Sequence, residues 1–311
     1  MRIVSLLPSA TDITCVLGLR DQLVGRTHEC DWPPGVESVP IMTRSVLEPS
    51  KMSSREIDTA VGASAHSGSS IYNLEHDALA TARPELILTQ ELCDVCAVSY
   101  ESVTAAARMM DIGPKVISLE PSSLEDIFSN INTIGALTDT EDRAREVVAE
   151  LRGRLEAVRR AVQGRDRLST VCVEWVDPIY DAGHWVPEQV DWAGGVELVG
   201  RQGMRSRSVT WDEVAEADPD VLVMMPCGFG VERSLQEAET LVRKPGWASL
   251  RAVQLDRVWA VDGAAFFDRP GPRTVRGVEV LAHILHGVGD IGENEAVRVR
   301  AMSGGKGRGD G

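Results

Sequence analysis

Short apolar runs alternate with amphipathic stretches along most of the chain. Runs such as residues 3–7 and 258–261 are nearly continuous and rich in branched side chains, as expected for strands that are buried on both faces. Between such runs, apolar residues recur at spacings of three and four, which is typical of helices packed on a sheet. The alternation predicts an α/β protein with parallel sheets covered by helices.

The same pattern occurs in both halves of the chain. Strands are predicted at residues 3–7, 23–25, 39–42, 85–89 and 116–118, and again at 170–174, 221–225 and 258–261. Helices are predicted between them, including 9–18, 74–82, 99–111, 123–137, 187–195, 211–217, 232–242 and 272–286. The repetition predicts two α/β halves.

One helix is predicted to be much longer than the others. Over residues 139–163 the apolar positions are spaced by three and four, Thr138 or Asp139 can cap its start, and Gly164 can end it. At 1.5 Å per residue it would be nearly 40 Å long, roughly. We therefore predict an N-terminal α/β lobe at 1–137, a bridging helix at 138–164, a C-terminal α/β lobe at 165–287 and a disordered, glycine-rich tail at 288–311.

Composition and charge narrow the range of partners. The chain of 311 residues carries 47 acidic and 32 basic side chains, a formal net charge of −15, so its surface repels nucleic acid. No uninterrupted apolar run reaches the roughly 18 residues that a membrane-spanning helix needs, which argues against membrane insertion.

The first residues predict a location inside the cell. The apolar run at 3–7 is too short for the core of a secretory signal and lacks a small-residue cleavage site. We therefore expect a cytoplasmic protein, and a periplasmic or cell-surface one only if an upstream signal is missing. The six cysteines should then be thiols or metal ligands rather than disulfides.

Chemically distinctive side chains follow the predicted strands. Ligands of open α/β sheets bind beyond the carboxyl ends of the strands, where aromatic walls with a few polar anchors suit a large, partly apolar ligand. The candidate ligand contacts at these positions are Pro8, Ser9, His28, Glu29, Cys30, Trp32, Cys93, Cys96, Trp175, His184, Trp185, Cys227, Phe229, Phe267 and Arg269. We expect them to line a cleft between the lobes.

The pair Cys93 and Cys96 admits several interpretations. A zinc or iron–sulfur site needs two further ligands, which Cys30, Cys227, His28 or His184 could supply only through the tertiary fold. Thiols that line a ligand cleft are the second interpretation. A redox pair is the third, although such a motif should open a helix directly after a strand, and here a loop precedes the helix that starts near Ser99.

Motifs of catalysis are absent from the sequence. It contains no Gly-x-Ser-x-Gly elbow after a strand, no phosphate-binding P-loop and no His-Glu-x-x-His helix. The sequence therefore predicts a protein that is not an enzyme.

Several stretches resemble a known family. RIVSLLPSATDITCVLGLRDQLVG, NLEHDALATARPELILTQ, AGGVELVG and DGAAFFDRPGPRTVRGVEVLAHIL are similar to the substrate-binding proteins of ABC importers for cobalamin and siderophores, and closest to the cobalamin branch. The resemblance covers about residues 1–287. It implies the class III architecture, in which one rigid helix joins two Rossmann-like lobes with parallel sheets and the ligand binds in the cleft between them.

The resemblance also implies roles for single residues. Glu75 and Glu197 match the glutamates that dock on arginine pockets of an ABC transporter permease, and Trp175, Trp185 and Phe267 are the candidates that flank a corrin. The missing export signal and the segments HEC, CDVC and PCGF depart from the family. They suggest a cytoplasmic relative, in which both glutamates would be ordinary surface charges.

Three functional hypotheses follow. The first is non-catalytic binding of cobalamin or a related corrinoid or metal chelate, with a cysteine or histidine that coordinates the metal. The second is a cytoplasmic zinc or iron–sulfur protein that uses Cys30, Cys93, Cys96 and Cys227. The third is an enzyme that acts on a corrinoid or metal chelate.

Overall fold

A computed structural model describes residues 1–66, 71–90, 100–110 and 113–299. The chain divides into two compact units. Unit 1 contains Met1–Ala157 and Arg269–Arg276, and unit 2 contains Val158–Asp268 and Gly277–Gly311. The chain therefore passes between the units three times. None of the helices in the described ranges is both long and apolar enough to cross a membrane.

Unit 1 is built on a parallel sheet. Its elements are β1 (Ile3–Ser5), α1 (Pro8–Val16), β2 (Leu23–Gly25), β3 (Thr43–Ser45), α2 (Ser54–His66), β4 (Tyr72–Leu74), α3 (His76–Ala82), β5 (Leu86–Thr89), α4 (Tyr100–Arg108), β6 (Lys115–Ser118) and α5 (Leu124–Leu137). The sheet has the strand order β2-β1-β5-β6 with every pair parallel, and β3 and β4 form a separate antiparallel ladder.

The central strands of this sheet are buried because apolar residues cover both faces. Ile3 and Val4 of β1 and Ile87 and Leu88 of β5 are completely inaccessible to solvent. Such strands read as continuous apolar runs, which is the pattern from which they were predicted. Helix α1 follows β1 directly, begins at Pro8 and ends before Gly18, whose φ of +79° suits glycine.

The long amphipathic helix α6 (Glu141–Val162) is present and has the predicted apolar stripe. Its apolar residues are all at most 7% exposed: Ala144, Val147, Val148, Leu151, Leu155, Val158 and Val162. The division between the two units lies within this helix, after Ala157.

Unit 2 is built on a mixed sheet of six strands. Its elements are β7 (Leu168–Val176), β8 (Ile179–Asp181), α7 (Val186–Trp192), β9 (Gly195–Glu197), α8 (Trp211–Ala217), β10 (Val221–Met224), α9 (Val231–Val242), α10 (Arg251–Gln254), β11 (Val258–Val261), α11 (Gly263–Phe266), α12 (Thr274–His286) and β12 (Ala296–Arg298), with α12 starting in the Arg269–Arg276 segment of unit 1. The strand order is β12-β11-β10-β7-β8, and β9 also pairs with β7.

The predicted α/β class is confirmed, with differences at the edges of the sheets. β7, β9, β10 and β11 are parallel, whereas β8 and β12 are antiparallel additions that the sequence did not indicate. β12 lies within the stretch predicted to be a disordered tail. It forms because Ala296 and Val299 bury their side chains and pair with the two ends of β11, Val261 and Val258. Residues 300–311 lie outside the described residues.

Candidate functional site

The loop after β2, residues 28–32, has its shape fixed by a buried arginine. Arg26 is 6% exposed, and its guanidinium donates to the carbonyl oxygens of Thr27 at 3.0 Å, Cys30 at 3.3 Å and Glu37 at 3.3 Å. The carbonyl of Thr27 also accepts from the N–H of Cys30 at 3.2 Å, so one buried guanidinium ties three points of the chain around this turn together. Sequence analysis missed this residue because nothing local marks an arginine that turns inward.

His28 is held by protein contacts at both ring nitrogens. Nδ1 is hydrogen-bonded to Oγ1 of Thr43 at 2.7 Å, and Nε2 lies 3.2 Å from Oε1 of Glu29. The polar contact with His28 is the main factor that lowers the pKa of Glu29, although the buried Nε2 does not reach the geometry of a hydrogen bond. Both residues are partly exposed, so they form a polar edge of the loop in which the imidazole is already engaged.

Cys30 does not fit the metal-ligand role that the sequence suggested. Its side chain is 5% exposed, and Sγ is 3.0 Å from Oγ1 of Thr11. Burial raises the pKa of the Cys30 thiol to about 11. Because metals bind the thiolate, a thiol that stays protonated at neutral pH is a poor ligand.

The segment Arg269–Arg276 joins this loop to α1. Arg269 donates from Nη1 to Oδ1 of Asp31 at 2.6 Å and from Nη2 to the carbonyl of Glu29 at 3.1 Å. Arg273 donates from Nε to Oδ2 of Asp12 on α1 at 2.8 Å. Both guanidinium groups are thus neutralised by carboxylates within unit 1.

An aromatic ring and the start of α1 complete this region. The guanidinium carbon of Arg273 lies 5.4 Å from the centre of the partly exposed Trp32 ring. Ser9 is 2% exposed, and a Cβ atom on Gly271 would lie 3.4 Å from its Cα, which shows how closely the segment covers it. Pro8 remains partly exposed at the first position of α1.

In unit 2, an aromatic pair is formed by Trp175, near the carboxyl end of β7, and Phe229, in the loop after β10. Their ring centres are 5.2 Å apart, and the guanidinium carbon of Arg233 lies 4.9 Å from the centre of the Phe229 ring. Phe229 is 7% exposed, whereas Trp175 is partly exposed. The partly exposed Cys227 lies in the same loop as Phe229, and its N–H donates to the carbonyl of Glu174 at 3.0 Å.

Trp185 and Phe267 are structural residues of unit 2. Trp185 is 4% and Phe267 is 2% exposed, and Nε1 of Trp185 donates to the carbonyl of Phe267 at 2.9 Å. A Cβ atom on Gly277 would lie 3.2 Å from the Phe267 ring. Their burial departs from the predicted role of flanking a corrin, because both rings pack against their own unit.

His184 has an unusual environment. Its φ of 52° lies in the left-handed region. The N–H of His184 donates to the carbonyl of Met204 at 2.7 Å, and its carbonyl accepts from the N–H of Gly203 at 2.8 Å. Within the described part of the chain, Nε2 of His184 is buried and has no hydrogen-bond partner. Burial, reinforced by the charge of Arg205, lowers the pKa of His184, so its imidazole is neutral at pH 7.

The two glutamates that were predicted to dock on a transporter differ in their environments. Glu75 is partly exposed, and Oε1 accepts a hydrogen bond from Nε of Arg44 at 3.0 Å. Glu197 instead accepts three backbone hydrogen bonds of 3.0 Å, from Cys172, Val199 and Gly200.

Glu197 therefore has a structural role that the sequence did not indicate. β9 ends at Glu197, and its carboxylate supplies the acceptor that β7 needs beyond the end of the ladder. Burial raises the pKa of the Glu197 carboxyl to about 7, against the effect of its hydrogen bonds. A carboxylate that is occupied in this way is poorly placed to bind an arginine of another protein.

The metal hypothesis obtains no support from the described residues. Among them, no group of three or more histidine, cysteine, aspartate or glutamate side chains is arranged to hold a metal ion. Cys93 and Cys96 lie outside the described residues, so their predicted role stays a prediction.

Comparison with known proteins identifies relatives over almost the whole chain. Residues 3–265 match the family described as periplasmic binding protein. An uncharacterised ABC transporter substrate-binding lipoprotein of Bacillus subtilis is 25% identical over 303 residues, covering 92% of this chain and 80% of that protein. A vitamin B12-binding protein of Vibrio cholerae is 23% identical over 286 residues, covering 91% of this chain and 88% of that protein.

Solved structures have the same fold. The periplasmic vitamin B12-binding protein BtuF of Vibrio cholerae has a TM-score of 0.65 with 20% identity, covering 91% of this chain and 96% of that one. The periplasmic heme-binding protein RhuT of Roseiflexus has a TM-score of 0.68 with 21% identity, covering 92% and 98%. An Fe³⁺-hydroxamate transport protein of Saccharomonospora viridis has a TM-score of 0.66 with 24% identity, covering 92% and 93%.

These matches confirm one prediction and overturn another. The matched proteins bind substrates without transforming them, in agreement with the prediction that the chain is not an enzyme. The predicted cytoplasmic location is wrong, because the relatives are periplasmic proteins and a lipoprotein, which points to a place outside the cytoplasm. The first residues of the sequence were an unsafe basis for that prediction.

Proposed function

Because the chain belongs to the periplasmic binding protein family, we propose that it carries cobalamin or a closely related corrinoid to an ABC importer. Binding of a small molecule for such an importer is the function of the family. The identity of that molecule is the new element, since relatives of this fold bind vitamin B12, heme or ferric hydroxamates.

The observation that carries this choice is the pairing of Arg269 and Arg273. Asp31 and Asp12 neutralise them within hydrogen-bond distance. Heme carries two propionate carboxylates, which call for free cationic side chains, whereas the rim of a corrin carries uncharged amides. A loop whose arginines are already neutralised suits the amide-rich ligand better. The vitamin B12-binding relative supports the same choice.

Aromatic rings of each unit are proposed to contact the ligand. Trp32 in unit 1 and Trp175 in unit 2 are partly exposed at the carboxyl ends of strands, where α/β proteins bind ligands. Indole rings bury a large apolar area at a low cost in side-chain entropy. Pro8, Glu29 and Cys227 are further partly exposed candidates beside them.

His184 is proposed to coordinate the cobalt. A neutral imidazole without a hydrogen-bond partner is the form that binds metals. Within the described ranges, His184 meets both conditions at Nε2. Because that nitrogen is buried, the imidazole ring must turn outward before Nε2 can bind cobalt.

The test of the ligand is a competitive comparison by isothermal titration calorimetry. We expect hydroxocobalamin and cyanocobalamin to bind at least about tenfold more tightly than hemin or a ferric hydroxamate, a difference of about 1.4 kcal/mol. Tighter binding of hemin would contradict the choice of a corrinoid while leaving the family assignment intact.

Variants test the residues. Trp32→Ala and Trp175→Ala should each weaken cobalamin binding by about tenfold or more, as expected for aromatic anchors. Trp192→Ala is the matched control. Trp192 is the last residue of α7, and its ring is covered by Arg159, whose guanidinium carbon lies 4.1 Å from the ring centre.

Coordination has a spectroscopic signature of its own. His184→Gln should abolish the shift of the hydroxocobalamin absorption bands on binding, whereas His76→Gln, at an exposed position of α3, should preserve it. An unchanged band shift in His184→Gln would exclude this histidine as the ligand of cobalt.

A further inference from the structure

Unit 2 contains a cavity at the end of its sheet opposite to the carboxyl ends of β7 and β10. Its volume is about 470 Å³, and it lies where β7 and β11 begin and α12 ends. The side chains that matter here are Arg165, Arg257, Trp259, His283, His286 and Arg298. A volume of this size is typical of small-molecule sites.

Positive charge is concentrated in this cavity although the whole chain is strongly acidic. The cavity is lined by three arginines and by one carboxylate, that of Asp166. The chain as a whole, in contrast, has a net charge of −15. Such a local reversal of sign attracts anions. The pKa of His286 reflects it: burial lowers that pKa, and the charges of Arg165 and Arg257 lower it further.

Two of the arginines have structural partners. Arg165 donates from Nη1 to the carbonyl of His286 at 2.8 Å, at the end of α12, where helix carbonyls lack intrahelical partners. Arg298 donates to Oδ2 of Asp256 at 3.1 Å and covers the Trp259 ring at 5.0 Å. Their positions are explained without a ligand.

Arg257 and Trp259 are not explained in this way. In the part of the chain that the structure describes, the guanidinium of the half-buried Arg257 has no ion pair or hydrogen bond. Trp259 is 7% exposed, and its buried Nε1 has no hydrogen-bond acceptor. A buried donor without an acceptor costs free energy, so native proteins rarely keep one without a reason.

The histidines of the cavity already have acceptors. Nε2 of His286 lies 3.2 Å from the carbonyl of Gly194, and Nδ1 of His283 lies 2.7 Å from the carbonyl of Gly289. The vacant donors are therefore the guanidinium of Arg257 and the indole N–H of Trp259.

We propose that this cavity binds a small phosphate group, either as inorganic phosphate or as the head of a larger phosphate ester. A phosphate offers several acceptor oxygens in a tetrahedral arrangement, which can accept from the fork of Arg257 and from Trp259 on a different side. A carboxylate has only two oxygens in one plane and satisfies two separate donors less well. This site is independent of the corrinoid proposal.

Calorimetric titration with inorganic phosphate at constant ionic strength tests the site. We expect phosphate to bind with a dissociation constant below the millimolar range and sodium chloride to give no comparable heat. Arg257→Gln should weaken phosphate binding by about tenfold or more, because it removes a charge-assisted interaction. Trp259→Phe, which keeps the ring and loses the N–H, should weaken it by a smaller factor.

Arg243→Gln is the matched control. Arg243 directly follows α9 in the same unit, its side chain is 79% exposed, and it pairs only with Glu239 at 3.0 Å among the contacts described. It should bind phosphate like the unchanged protein. Thermal unfolding of each variant reports whether it is folded. If Arg257→Gln does not fold, Trp259→Phe still tests the site.

The source of the phosphate is tested with membranes. Sedimentation with vesicles of phosphatidylglycerol, compared with vesicles of phosphatidylcholine, detects binding to a lipid headgroup. If either phosphate or phosphatidylglycerol vesicles bind in an Arg257-dependent manner, the proposal holds and the source is identified. If neither binds, or if Arg243→Gln weakens binding as much as Arg257→Gln, the proposal is overturned.

Discussion

Nε of Arg273 donates a hydrogen bond of 2.8 Å to Oδ2 of Asp12, a residue 261 positions earlier in the chain. The carboxylate of Asp12 is 2% exposed, and the guanidinium is 15% exposed. Burial raises the pKa of Asp12 to about 6, although the charge and the hydrogen bond of Arg273 act in the opposite direction. This ion pair fastens the Arg269–Arg276 segment to α1.

Removing one partner of this ion pair should be costly. Arg273→Met leaves a buried carboxylate without a counter-charge, and we expect a loss of about 3 kcal/mol in the free energy of unfolding, measured by urea denaturation at pH 7. Asp12→Asn combined with Arg273→Met should recover part of the loss. A loss no larger than that of the exposed pair Arg243 and Glu239, below about 1 kcal/mol, would show that Asp12 does not depend on Arg273.

The stability of the protein should fall as the pH rises from 5 to 8. Burial raises the pKa of Glu174 from 4.5 to about 7, so between these values the folded state binds a proton that the unfolded state releases. The stabilisation is complete below pH 4.5 and is lost as the pH rises through 7, with a limiting slope of about 1.4 kcal/mol per pH unit.

Glu174→Gln isolates this effect, because glutamine does not titrate. Urea denaturation at pH 5, 6, 7 and 8 should show a shallower decrease for the variant than for the unchanged protein. Glu197, whose pKa is also raised to about 7 by burial, keeps part of the slope in both. If the free energy of unfolding depended on pH equally in both proteins, the proton on Glu174 would have no part in the pH dependence.

The inward orientation of Glu197 gives a third prediction. Glu197→Ala leaves three backbone N–H groups without an acceptor, and at about 1–3 kcal/mol for each buried group the loss of stability should be at least about 2 kcal/mol. Glu75→Ala breaks one exposed ion pair and should cost less than about 1 kcal/mol. Thermal unfolding distinguishes these outcomes, and equal stability of both variants would refute a structural role of Glu197.

Two glycines should respond in opposite directions to the same substitution. A Cβ atom on Gly200 would lie 2.2 Å from the carbonyl oxygen of Ala182, so Gly200→Ala forces the backbone apart and should cost about 3 kcal/mol or more. Gly153 is exposed within α6, and no atom lies within 4 Å of its Cβ position. Gly153→Ala should stabilise the protein by about 0.5–1 kcal/mol, as judged from urea denaturation. A neutral Gly200→Ala would contradict the close approach.

The sequence predicted elements well where a local pattern defines them. The helix expected at 139–163 is found at Glu141–Val162, and the strand expected at 258–261 is found at Val258–Val261. β8 and β12 were missed because each has only three residues, too few for a periodic signal. Their strand structure depends on pairing with β7 and β11.

Side-chain environments were much harder to predict than elements. The sequence placed Trp175 and Trp185 in the same predicted strand-end region, yet Trp185 is buried and Trp175, in β7, is partly exposed. Arg269 was identified as a candidate, but its partner Asp31 was not, because a contact over 238 positions leaves no local trace. The predicted contacts to a ligand and to a transporter stay predictions.

The triple passage of the chain between the units has a practical consequence for dissection. A fragment that stops at Ala157 retains Asp12 but lacks Arg273, so its buried carboxylate has no counter-ion. Neither unit can be isolated by cutting the polypeptide at one place. Unfolding of one unit would also disturb the three chain segments that continue into the other. We therefore expect both units to unfold in one cooperative transition.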